Sequence, residues 1–101
     1  MGQKHDMGKP RLGLVLGDFA KALQAVGAVG TFGAEKYADS GWLTIENGQQ
    51  RYTDAMLRHF LQEAAGEESD GESGLLHAAH TAWNALARLE LRLRERGAQC
   101  E

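Results

Sequence analysis

The chain has 101 residues, of which 43% are hydrophobic and 25% charged, with a formal net charge of −3. That length holds one domain with a modest core, and the slight acidity gives no overall attraction for a nucleic acid polymer or an anionic membrane, so any phosphate recognition rests on a few placed Lys and Arg residues. The single cysteine, Cys100, excludes an internal disulfide and fits a reducing compartment. No signal-like segment follows the polar start and no apolar run reaches membrane-span length, so a soluble, cytoplasmic protein is expected. Small helical domains often complete their core with copies of themselves, and a homodimer or homotetramer is expected here.

Residues 1–13, MGQKHDMGKPRLG, are polar, carry Lys4, Lys9 and Arg11, and contain the only proline. They read as an extended arm, either a disordered tail or a phosphate clamp in which Pro10 stiffens the backbone between Lys9 and Arg11. The GxxxxGKS/T spacing of a Walker loop is absent. Residues 14–96 read as a single all-α domain and 97–101 as a frayed end.

From Asp18, taken as an N-cap, Phe19, Leu23 and Val26 follow helical spacing, and a first helix is expected to about Ala34. Gly27, Gly30 and Gly33 recur every third residue along it and point to close helix packing in preference to an irregular end. Residues 35–50 form a loop with two aromatics. Tyr37 and Trp42 can stack on a base with Lys36 near its phosphates, while a Trp42 that simply plugs the domain is the plainer reading.

A second helix is expected from Gln49 to about Ala65 with Tyr52, Met56, Phe60 and Ala64 buried. Arg51 and Arg58 lie on its more polar face, as phosphate contacts or as solvated charges. A third is expected from Ser73 to Arg96, with Leu75, Ala79, Ala82, Leu86, Leu89 and Leu93 as its seam.

The chemistry concentrates between these two helices. His59, Glu63 and Glu67 recur every fourth residue, which places them on one helical face, and His77, His80 and Asn84 share one stripe of the next helix. An acidic turn, residues 67–72, lies between the two rows, and helices joined by a short loop pack antiparallel. A mixed carboxylate and imidazole set without thiolate suits Mg²⁺, Mn²⁺ or Zn²⁺, with the carboxylates favouring the first two. With cations available for phosphate oxygens, metal-assisted phosphoanhydride hydrolysis is the natural reaction class. A metal phosphohydrolase of another product class, or a non-enzymatic helical module with a structural metal, are the rivals.

Several spaced motifs carry a resemblance: Asp6-x-Gly8-Lys9-Pro10; Phe32-Gly33-Ala34-x-Lys36-Tyr37 with Trp42; Arg51-Tyr52 and Arg58-His59; Gly66-Glu67-x-x-Asp70-x-Glu72-Ser73-Gly74; and His77-x-x-His80 with Asn84. Together they resemble the phage dATP/dGTP diphosphohydrolase (MazZ) family, a branch of the all-α MazG-like nucleotide pyrophosphohydrolases. The chain departs from that pattern at Gly41, where Asn is common before the tryptophan, and at Leu16-Gly17-Asp18, where a proline-rich helix entry is usual. His77 and His80 stand where the second acidic pair of MazG proteins falls.

The resemblance implies a MazG-like bundle completed by oligomerisation and an enzyme that converts dGTP or dATP to the monophosphate and pyrophosphate with Mg²⁺ or Mn²⁺. Carried onto this chain, Glu67, Asp70 and His80, helped by Glu63 and His77, hold the metal, and a carboxylate of the acidic turn acts as general base. Lys9, Arg11, Lys36 and Arg58 meet the phosphates, Tyr37 and Trp42 pack near the purine, and His59 and Asn84 complete the substrate site.

Overall fold

The fold follows from two amphipathic helices that cannot bury their stripes alone and so pair with each other. The computed structural model describes residues 7–100, with side-chain surroundings as far as residue 98; Lys4, Asp6 and the side chain of Cys100 lie outside the described residues. The chain is all-α: α1 (Leu12–Asp18), α2 (Ala20–Lys36), a 3-10 turn (Gly41–Thr44), α3 (Gly48–Ala64) and α4 (His77–Cys100). The only strand-like pairing among the described residues is an isolated bridge between Ser69 and Leu76.

The expected first helix is corrected at its start. Asp18 is the last residue of α1 and no N-cap, and α2 opens after Phe19 without a side-chain cap. The Phe19 N–H donates to the Leu16 carbonyl at 3.1 Å, a tight turn that ends α1, and the two helices meet at 80°. No single described helix is long and apolar enough to cross a membrane.

Contacts between α3 and α4 run in opposite senses along the two sequences. His59 meets His77, Thr53 accepts from Arg88 Nε at 2.7 Å, and Gln49 donates to Glu95 at 2.6 Å, so the helices are antiparallel. Near one end Gly48 lets the chains close up, since a Cβ there would lie 2.9 Å from Leu91 Cδ1. α2 crosses onto α4 at Gly30, where a Cβ would sit 3.1 Å from Trp83 Nε1. Close packing therefore explains Gly30, while Gly27 and Gly33 face open space. Trp83 in turn meets Trp42 and Tyr52 edge to face, with centroids 5.5 and 5.6 Å away, and the Tyr52 hydroxyl donates to the Trp42 carbonyl at 2.6 Å.

The expected seam of α4 is also corrected. Ala79 is buried, but Ala82, Leu86, Leu89 and Leu93 are exposed, and the inner face carries His77, His80, Asn84 and Ala87. On α3 the stripe holds at Tyr52 and Met56 and fails at Phe60 and Ala64, which are exposed. Polar side chains take the inner position because they satisfy one another there. The apolar core is correspondingly small: among the described residues only Val29, Ala79 and Ala87 are buried hydrophobics. The radius of gyration is 16.2 Å, against about 13 Å for a compact chain of this length.

Candidate metal centre

α3 ends where Gly66 takes φ +109°, a left-handed conformation that suits glycine. The following loop closes on itself: Asp70 N–H donates to the Leu75 carbonyl at 2.8 Å, Gly74 N–H to Asp70 at 2.8 Å, and His77 N–H to Glu68 at 2.9 Å. This backbone cage holds the loop's Glu67, Asp70 and Ser73 over the first turns of α4, opposite His59 of α3.

His77 is completely buried, so both ring nitrogens need partners. Its Nε2 lies 2.7 Å from Glu67 Oε1 and its Nδ1 lies 2.8 Å from Nδ1 of His59. A carboxylate only accepts, so the proton of His77 sits on Nε2 and its Nδ1 presents a lone pair. Two bare imidazole lone pairs at 2.8 Å would repel, so either the His59 proton or a cation must satisfy that nitrogen. Burial above all, then the neighbouring His80, pushes the pKa of His59 down from 6.5 to about 4, while Asp70 opposes the shift. The imidazole is therefore neutral at pH 7 and able to donate a lone pair.

Asp70 stands beside these rings. Burial pushes its carboxyl upward, but hydrogen bonds from Ser73 and the nearby histidines outweigh that and hold it below the ordinary value, so it is anionic. The backbone N–H of Ser73 donates to Asp70 Oδ2 at 2.8 Å, and Ser73 Oγ lies 2.7 Å from His80 Nε2. His80 is neutral too, its pKa lowered by burial against the opposing effect of Asp70. Its ring stacks on His59 at 4.3 Å and 8°, and the amide of Asn84 donates to its carbonyl at 2.8 Å.

Ligand atoms of His59, Asp70 and His77 all lie within 4.8 Å of one another. Two imidazoles and one carboxylate come together here, and Glu67 accepts from the far nitrogen of His77, the way a carboxylate orients a histidine in metal sites. The donor set fits a divalent cation. Glu67 stands behind His77, and Glu63 is exposed, its carboxylate without a hydrogen bond or ion pair among the described residues. The helix ends between Glu63 and Glu67, which breaks the row expected from their spacing.

The remaining candidates fall around this cluster or away from it. Lys36 reaches the acidic loop through Glu72 at 2.5 Å, a pairing that raises its pKa, and its Nζ lies 5.1 Å over the Tyr37 ring. Trp42 is half-buried in the aromatic group, the plugging role. Lys9, Arg11 and Arg58 are exposed and form no ion pair among the described residues. Ser73, in the sequence a motif residue and the expected start of the third helix, lies in the loop ahead of α4 and joins this cluster. Its signal was the Asp-x-x-Ser spacing at Asp70, which matches a side chain accepting from a backbone N–H three residues on.

A loop between antiparallel helices that gathers imidazoles and a carboxylate defines the class: an all-α domain with a prospective divalent-metal centre. The profile of the family described as "dATP/dGTP diphosphohydrolase, N-terminal" matches residues 1–100, and the chain belongs to that family. It is 36% identical over 81 residues to a dATP/dGTP diphosphohydrolase of Salmonella phage PMBT28, covering 80% of this chain and 26% of that protein. The chain thus spans about a quarter of the relative's length. No solved structure matches it.

Proposed function

We propose that this chain is a metal-dependent domain that hydrolyses dGTP and dATP between the α- and β-phosphates, releasing the monophosphate and pyrophosphate. The observation that carries this reading is the grouping of His59, Asp70 and His77 backed by Glu67, in a chain of the diphosphohydrolase family. Of Mg²⁺ and Mn²⁺, two imidazole donors favour Mn²⁺, because Mg²⁺ prefers an all-oxygen set. When bound, the cation supplies Lewis-acid stabilisation of phosphate charge and acidifies a water.

The chain's own residues do the rest. Glu67 fixes the His77 tautomer, and Asp70, kept anionic by Ser73, contributes negative charge to the centre. The exposed carboxylates of the acidic loop are the candidates for general base. Lys36, parked on Glu72 at the rim, is placed to move to a phosphate, with Arg58 and the Lys9–Arg11 arm as further cations. Tyr37, 76% exposed, is the better base platform of the two aromatics.

The assembled form is a homodimer or homotetramer, working in the cytoplasm of an infected cell. Supporting assembly, Leu86, Leu89 and Leu93 on α4 and Leu12, Leu14, Val15 and Leu16 on α1 are all about half exposed or more. Incubation with each dNTP and Mn²⁺, followed by chromatography, tests the function. Monophosphate and pyrophosphate from the purine nucleotides are expected; triphosphate or inorganic phosphate would point to another hydrolase class. Chelation that lowers stability while no nucleotide is consumed would mark a structural metal instead.

A further inference from the structure

Resting on that metal-centre reading, we propose that His80 is a positioning residue and not a ligand: with Ser73 it forms a shelf that fixes the ring plane of His59. The Ser73 hydroxyl is itself held, accepting from the Leu75 N–H at 3.1 Å while the Ser73 N–H donates to Asp70. That hydroxyl lies 2.7 Å from His80 Nε2, so this nitrogen is engaged whichever partner carries the proton. The Asp70 carboxylate is farther off, 3.9 Å from the same nitrogen.

His80 is only 8% exposed and sits in the first turn of α4, so its ring is an enclosed surface. The His59 ring lies nearly parallel on it, 8° apart at 4.3 Å, whereas His59 meets His77 at a 45° tilt. A flat contact on one side and a 2.8 Å nitrogen contact on the other leave His59 little rotational freedom. The ligand atoms within 4.8 Å of one another are those of His59, Asp70 and His77, whereas the nearest partner of the His80 nitrogen is Ser73. Ser73 therefore links the two halves of the centre, since one residue anchors both the Asp70 carboxylate and the ring that supports His59.

The direct test is long-range proton–nitrogen NMR of the full chain, with histidine ring nitrogens labelled and Zn²⁺ added as a diamagnetic probe. His59 and His77 are expected to show a coordinated nitrogen, with His80 keeping the pattern of the metal-free chain. A coordinated nitrogen on His80 would overturn the proposal while leaving the metal centre standing. No coordination at any of the three rings would sink the centre and the shelf together.

Variants give a second readout, with Mn²⁺ affinity measured by calorimetry on chains shown by circular dichroism to be folded. His80→Phe keeps a flat ring and no nitrogen, and affinity is expected to stay within about threefold of the parent, whereas His80→Ala should weaken binding by about 10- to 100-fold. Ser73→Ala should fall between the two. Loss in His80→Phe as complete as in His59→Ala, or parental affinity in His80→Ala, would each contradict the shelf.

Discussion

Along the middle of the α3–α4 hairpin, Trp42, Tyr52 and Trp83 meet edge to face against Gly30, whereas at the loop end His59, His77 and His80 meet one another, Glu67, Ser73 and Asp70. The first group, half-buried, is held by edge-to-face aromatic contacts and the apolar area they cover. The second is held by hydrogen bonds among imidazoles, carboxylates and Ser73. The contrast teaches that apolar packing and a polar cluster sit side by side along one helical hairpin, and substitutions can test whether they are separable.

The largest effect is expected in the aromatic group. Trp83→Ala should lower stability by about 3 kcal/mol, read from urea unfolding, with Mn²⁺ affinity of the remaining folded chain little changed. A loss of affinity in the folded fraction would mean that the two regions are not separable. At the loop end the order reverses: Asp70→Asn should weaken Mn²⁺ binding by more than tenfold and Glu67→Gln by about tenfold, the size typical of an outer partner, while each leaves the urea midpoint nearly in place. Equal losses for both would make Glu67 a ligand as direct as Asp70.

Acid should act on the loop end first. The folded pKa of His59 is about 4 against an ordinary 6.5, so as pH falls the unfolded chain takes up the proton before the folded one. Stability is therefore full above 6.5 and lost as pH drops through the interval toward 4, and His80, shifted in the same direction, adds to the loss. Asp70, lowered as well, contributes at still lower pH. Urea midpoints should fall between about pH 7 and about pH 4.5; a flat profile would mean that the imidazoles are not buried as neutral bases. The smallest effect is expected at Gly30→Ala, where gained helix propensity and the tight approach to Trp83 oppose each other, leaving a net change within about 1 kcal/mol.

Much of this division was legible in the residues. The spans of α3 and the stripe of His77, His80 and Asn84 followed from helical periodicity, and the antiparallel pairing of the rows followed from the short loop. The every-fourth-residue spacing of Glu63 and Glu67 does not put them on one helical face, because the helix ends at Ala64 and Gly66 turns the chain. Within the single chain the inner face of α4 carries His77, His80, Asn84 and Ala87, and Leu86, Leu89 and Leu93 of the expected seam stay exposed. Nothing in the sequence marks α1, whose apolar run has neither a side-chain cap nor a buried stripe. Ser73 depended on loop backbone geometry, which no spacing rule encodes beyond the hint at Asp70.

Pulsed electron paramagnetic resonance of Mn²⁺ on this chain in the presence of dGTP tests the centre most directly. The expected spectrum carries nitrogen couplings from the imidazoles of His59 and His77 together with phosphorus coupling from the nucleotide, placing protein ligands and phosphate chain on one ion. Phosphorus coupling without nitrogen, or nitrogen without phosphorus, would separate the ion from the rings or from the substrate and contradict the site described.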